Sequence, residues 1–323
     1  MFTKMKFWLI AAVTCVLFVY HTHGTISKPF RRHIAENFGE EIAERLARED
    51  VGWRGSFGGS DEEGVPKLIK VPIVFVHGQT RRARDLDYVL KPFHAHGYSF
   101  AEVYGTTYGK NVTGTNYMHD RAYCDYIKQV RLMIEAVLNY TTYPKVDVVG
   151  FSMGVPFSKK AILGGRCVDT GEDLGAPLTA RIRTWLGVAG AHRGMIECRE
   201  DPNYELCNPI NGLNPDGESK YLADINTPVR YESKTKILGI ESIDDDIVGP
   251  INETHRGIKK TERYDKLVLL QRIGHRAAVW FLGDLVYELL TDQPLDDLTS
   301  IEDEALELSR NLTDKDIGID YQL

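Results

Sequence analysis

Val146–Phe157 reads VDVVGFSMGVPF. An apolar strand signal runs into a glycine, offers one serine, and meets a second glycine before an apolar helical stretch. Two readings compete. Either the glycines only turn a corner, or the corner exists to hold the Ser152 hydroxyl where chemistry can use it. A strand, then G-x-S-x-G, then a helix is the context of a nucleophile elbow, in which glycines remove side chains from a cramped turn. Such a five-residue pattern is weak alone, so its partners must be found elsewhere in the chain.

A serine hydroxyl is a poor nucleophile until a base takes its proton, and the base must be oriented and its charge balanced. The oxyanion formed by attack also needs two backbone N–H donors, one after the serine and one from a loop after an earlier strand. Met153 follows Ser152, and VPIVFVHGQ (Val71–Gln79) closes a buried strand on His77-Gly78-Gln79, which offers the Gln79 amide. The His77 side chain reads as a cap that shapes this loop. Acid and base should follow in chain order, each just past a later strand. After TKILGI comes ESIDDDIVGP with three successive carboxylates, Asp244 to Asp246; after LVLLQ comes RIGHRAAVW with His275. His192 precedes the acid and reads as a rim or structural residue. His94 and His96 read as surface residues near a helix end.

The same runs organise the chain. Short apolar segments alternate with amphipathic helical ones, among them Ile127, Val130, Met133, Ile134, Val137 and Leu138 at helical spacing. That alternation predicts a mostly parallel central sheet with helices on both faces. Residues 25–68 read as an N-terminal helix and a glycine-rich linker, and 69–291 as the catalytic domain. A cap-like insertion is expected over 191–235. HRAAVWFLGDLVYELL predicts one long helix at the end of the core. The acidic tail, 292–323, predicts a short helix capped by Ser300 outside the core. Met153 and Phe157 read as core packing; Phe151 walls an acyl pocket or packs in the core.

HGQ, GFSMG, DDDIVGP and GHRAAVW, in that order, resemble an α/β-hydrolase, and most closely the class 2 lipase group. The resemblance runs from about Val71 to Leu290. It implies an α/β-hydrolase fold, Ser152 as nucleophile, His275 as base and the amides of Gln79 and Met153 as oxyanion hole. The family pattern places the acid two residues before the Ile-Val pair, on Asp245, with Asp246 as the alternative. It also implies a lipase or carboxylesterase working on a lipid or small ester, with transient contact at a lipid surface. No metal or organic cofactor is required. A phospholipase, thioesterase or lipid acyltransferase would use the same residues, and a catalytically silent binding protein on the same scaffold is the alternative of a different class.

Charge and processing signals set the setting. The 323 residues are 43% hydrophobic with a net charge of −7, which argues against nucleic acid as partner. Residues 1–24 carry Lys4 and Lys6, an apolar run and small residues near Gly24, the pattern of a signal peptide. Secretion is therefore expected. Glycosylation acceptors stand at Asn111, Asn139, Asn252 and Asn311. Cleavage would leave Cys124, Cys167, Cys198 and Cys207, an even count that predicts two disulfides. Cys198 and Cys207 bracket a short polar loop and form the expected local pair, which leaves Cys124 with Cys167. A zinc site is the rival reading, but its C-x2-C spacing is absent.

Overall fold

The computed structural model describes residues 26–109, 120–215, 219–226, 233–234, 236–249, 264–313 and 315–316. The expected signal peptide and the acceptors Asn111 and Asn252 lie outside them.

Seven strands form one sheet: β1 (Ser56–Phe57), β2 (Ile73–Val76), β3 (Val103–Thr106), β4 (Val146–Phe151), β5 (Ile182–Val188), β6 (Lys236–Ser242) and β7 (Lys266–Leu270). Their spatial order is β1-β3-β2-β4-β5-β6-β7. Every pairing is parallel except the antiparallel edge between β1 and β3. This is the expected α/β-hydrolase arrangement. The serine strand β4 lies at the centre, and all six of its residues are buried. Val146 and Val148 face one apolar layer, Val149 and Phe151 the other, so a continuous apolar run is what a strand covered on both faces requires.

One face is covered by α1 (Lys28–Phe38), α2 (Glu40–Ala47), α4 (Cys124–Thr141) and α5 (Gly154–Leu163), and the other by α3 (Asp87–Ala95) and the helices after β7. The expected N-terminal helix is two helices, α1 and α2, divided by Gly39 at φ 95°. Phe30 is fully buried, with ring centroids 5.2 Å from Tyr104 and 4.7 Å from Tyr140. Burying such a side chain contributes about 1.5–3 kcal/mol. The N-terminal segment therefore shares the main core. The stretch read as linker also supplies β1, whose Ser56 and Phe57 pair with Thr106 and Gly105. Two residues are too few to show a strand period.

The insertion carries the short helices α6 (Glu197–Glu200) and α7 (Lys220–Ile225). A disulfide joins Cys198 to Cys207, and a second joins Cys124, at the start of α4, to Cys167 beyond α5. Both match the expected pairing. Leu206, Leu213, Tyr221 and Ile225 are buried in the layer below the insertion, and the Tyr221 hydroxyl donates to the Pro156 carbonyl at 2.8 Å.

Two expectations for the C-terminal region need correcting. The long final helix is two helices, α8 (His275–Trp280) and α9 (Gly283–Thr291), interrupted at Phe281 and Leu282. The break re-aims the chain so that α9 lies against α3, close enough that a Cβ on Gly283 would sit 2.9 Å from the Val89 carbonyl oxygen. The tail helix α10 (Leu298–Asn311) is capped by Asp297, whose carboxylate accepts from the Ser300 amide at 3.2 Å, and not by Ser300. Nor does α10 lie outside the core. Ala305 is fully buried, and Ile301, Leu306 and Leu308 pack on the layer around α8 and α9. Of the acidic residues that suggested a solvated tail, Asp303, Glu304 and Glu307 are exposed, but Glu302 is buried. Asn139 on α4 and Asn311 at the end of α10 are exposed. Among the described residues no helix is long and apolar enough to cross a membrane.

Candidate active site

Ser152 stands at the carboxyl end of the central strand, in the tight turn between β4 and α5, with φ at 53°. A left-handed backbone is costly for any residue with a Cβ and persists only where the surroundings impose it. Here they do. The Ser152 amide donates to the Val188 carbonyl of β5 at 2.9 Å, and the Ser152 carbonyl accepts from the Val155 amide at 3.0 Å. Both glycines of GFSMG are sterically required. A Cβ on Gly150 would lie 2.7 Å from the Gly154 carbonyl oxygen, and one on Gly154 would strike the carbonyl oxygens of Val76 and His77. At Gly150 the corner folds on itself, and at Gly154 it crosses the end of β2, too closely for a side chain at either position.

Two loops on the β6–β7 side of the sheet meet this serine. Past β6, Asp245 is buried, and its Oδ1 accepts from the amides of Ile247 at 3.0 Å and Val248 at 2.8 Å. Its Oδ2 lies 2.7 Å from His275 Nδ1. Past β7, His275 opens α8, and its Nε2 lies 2.9 Å from Ser152 Oγ. With Nδ1–H donated to the carboxylate, the lone pair of Nε2 faces the serine hydroxyl. Burial pushes the Asp245 carboxyl up, but the hydrogen bond and charge of His275, with the two amides, outweigh it and leave the carboxyl below its ordinary value. Asp246 is exposed and does something different: its Oδ1 accepts the backbone amide of His275 at 2.8 Å. Asp244 is exposed. Of the three carboxylates, the structure brings Asp245 to the imidazole.

On the other side of β4, the loop after β2 carries Gly78 and Gln79 against the serine. A Cβ on Gly78 would sit 3.2 Å from the Ser152 Cβ, so this glycine permits the close approach. His77 anchors the loop from below. Its Nδ1 is 2.6 Å from the Gly78 carbonyl, its Nε2 accepts the Tyr108 amide at 3.1 Å, and its ring stacks on Tyr108 at 4.1 Å. Burial holds its pKa down to about 3, so it is a neutral strut, as its place in the loop suggested. Gln79 and Met153 both border a cavity of about 320 Å³ that opens on Ser152 and His275. Met195, Ile247, Val279 and Trp280 give the cavity an apolar wall.

The family model for lipase (class 2) matches residues 70–278, nearly two thirds of the chain and every loop just described. The chain belongs to the class 2 lipase family. Among solved structures, a metagenome-derived lipolytic enzyme of the LipS and LipT pair is 16% identical, covering 71% of this chain and 94% of its own at a TM-score of 0.47. Tomato methylketone synthase I complexed with 2-tridecanone is 13% identical, with 70% and 98% covered and a TM-score of 0.44. A lipase-esterase related protein from Clostridium acetobutylicum is 14% identical, with 72% and 97% covered and a TM-score of 0.42. No curated protein matches the chain.

Other residues of this class 2 lipase divide between those legible in its sequence and those that are not. Phe151 faces the buried layer with Val149 and does not line the cavity; alternation along β4 turns it away from the turn. His192 is fully buried, and its carbonyl accepts from Asn226 at 2.8 Å. Tyr108 and Met195 have no local sequence signal for their places beside the site. Val279 does have one, since it lies four residues after His275 and so on the same helix face. His94 and His96 are exposed, as their place near a helix end suggested.

Proposed function

We propose that this lipase-family protein is a serine hydrolase of carboxylic esters, most simply a triacylglycerol lipase or carboxylesterase, acting through an acyl-enzyme. The single observation that supports this is the continuous chain from Ser152 Oγ to His275 Nε2 at 2.9 Å and from His275 Nδ1 to Asp245 Oδ2 at 2.7 Å. In the proposed reaction His275 takes the Ser152 proton as Oγ bonds to the ester carbonyl carbon. The amides of Gln79 and Met153 receive the oxyanion, and Asp245 balances the imidazolium. The tetrahedral centre collapses, the alcohol leaves with the proton from His275, and water activated by the same imidazole releases the acid. Met195, Ile247, Val279 and Trp280 offer an acyl chain an apolar wall.

Secretion belongs to the same proposal. Two buried disulfides favour an oxidising compartment, and exposed Asn139 and Asn311 leave two acceptors open to glycan. Hydrolysis of p-nitrophenyl esters of rising acyl length and of emulsified triacylglycerol, by the secreted protein and by Ser152→Ala, tests the reading. Serine-dependent turnover supports a hydrolase, and preference for long chains in emulsion a lipase. Equal rates from two folded proteins would refute it.

A further inference from the structure

We propose that the C-terminal helix α10 is a brace that holds the His275 loop in register with Ser152, with Glu302 as its positioning residue. This rests on the serine-hydrolase reading above. The helix residues concerned lie beyond the segment 70–278 that the family shares.

Only four residues, Gln271 to Gly274, join the end of β7 to His275. Glu302 takes hold of the first two. Its Oε1 accepts the Gln271 backbone amide, and its Oε2 accepts Arg272 Nε at 2.8 Å. Arg272 also donates to Asp303 at 2.8 Å and to the Thr299 carbonyl at 3.2 Å. On the far side of His275, Arg276 donates to the carbonyl and hydroxyl of Ser309, each at 3.1 Å, and to the Leu312 carbonyl at 2.8 Å. The imidazole is thus bracketed by two residues anchored to the same helix, one in its first half and one at its last turn.

Burial argues against a merely solvated acidic face. Glu302 is 3% exposed, and Ala305, between the two anchors, is fully buried, so the helix lies flush. A buried carboxylate is costly unless its oxygens are satisfied, and here both are satisfied by the loop that carries the base. A loop this short transmits displacement directly to the ring. A misplacement of about 1 Å in a reacting group can cost about 100-fold in rate.

The test measures kcat and KM on p-nitrophenyl butyrate, the rate of Ser152 labelling by a fluorophosphonate, and thermal unfolding. Glu302→Leu removes both Glu302 contacts to the loop, at Gln271 and Arg272, and Glu302→Asp shortens the arm while sparing the charge. Glu302→Gln keeps an oxygen for the Gln271 amide, and Glu307→Gln, at an exposed position of the same helix, is the control. The expected result is a kcat lower by about 10–100-fold in Glu302→Leu, slower labelling in step, and KM little changed. Glu302→Asp should fall between, Glu302→Gln should recover most of the rate, and Glu307→Gln should match the parent. If Glu302→Leu does not fold, the Asp and Gln variants carry the same comparison. The brace is overturned by folded Leu or Asp variants at parental kcat, or by a fall in melting temperature alone. Parental turnover that survives Ser152→Ala would sink the hydrolase reading, and the brace with it.

Discussion

Asp245 Oδ2 lies 2.7 Å from His275 Nδ1, while the adjacent Asp246 holds the backbone amide of the same histidine at 2.8 Å. One carboxylate orients the ring and the other fixes the chain that bears it. The two substitutions should therefore separate. Asp245→Asn would present an amide to Nδ1, favour the wrong tautomer, and lower kcat by about 10⁴-fold. Asp246→Asn keeps an oxygen for the His275 amide and should cost far less. Steady-state ester hydrolysis by the two variants checks this, and similar losses would count against the assignment.

Acid should weaken the Asp245 contribution in a defined window. Its carboxyl titrates below the ordinary 3.8 in the folded chain, so the unfolded state binds the proton first. The stabilisation is then complete above about pH 3.8 and is lost as the pH falls through the lower folded value. The stability difference between parent and Asp245→Asn in urea titrations should be flat above that pH and shrink below it.

His77 sets a second pH dependence. It goes from 6.5 to about 3 on burial, so its neutral form stabilises the fold above pH 6.5, and that contribution is lost as the pH falls towards 3. The slope is about 1.4 kcal/mol per pH unit. His77→Gln should flatten unfolding free energy between pH 6 and 4 by about that slope. It should also lower kcat, since the Gln79 loop loses its strut. An unchanged slope would remove His77 as the source.

Gly154→Ala tests the steric reading of the elbow. The added methyl meets the carbonyl oxygens of Val76 and His77, which are backbone and cannot rotate away. Overpacking of this kind costs about 1–3 kcal/mol, and here it should also shift Ser152 and reduce turnover. Gly171→Ala is the comparison. Its Cβ would meet nothing within 4 Å, although φ is 75° there, so it carries a backbone cost without the collision. Equal melting temperatures and equal turnover for the two variants would contradict the argument.

The two disulfides should differ in weight. Cys124–Cys167 closes a loop of separation 43, Cys198–Cys207 one of 9. Chain-entropy arguments give about 4 kcal/mol for the first and about 2.5 kcal/mol for the second. Paired Cys→Ser substitutions, compared by chemical unfolding, should rank that way. The shorter loop should affect catalysis more, because it begins just after Met195 at the cavity wall.

Much of the site was legible because its signals are local. Gly150 and Gly154 mark the turn, the apolar runs mark the strands, and the chain order of Ser152, Asp245 and His275 follows from strands that each end in a functional loop. What stayed hidden depends on approach between distant segments. Ser56 and Phe57 pair with Thr106 and Gly105 in a strand too short to show a period. Asp297 outranks Ser300 as a cap because its carboxylate reaches the Ser300 amide. Phe281 and Leu282 interrupt the final helix where α9 has to meet α3.

By itself the sequence determined the alternation that builds a parallel sheet, the elbow, and a set of three carboxylates from which one acid had to come. The family pattern put it on Asp245 with Asp246 as the alternative, and only the tertiary structure decided between the two. Asp245 and Asp246 are neighbours of the same type in one loop, and in the sequence only their offset from the Ile-Val pair separates them. The turn after β6 points Asp245 inward, where two amides and the imidazole can satisfy a buried carboxylate, and leaves Asp246 to the backbone of His275. The difference lies in where a loop meets another stretch of the chain, and side-chain spacing does not encode that.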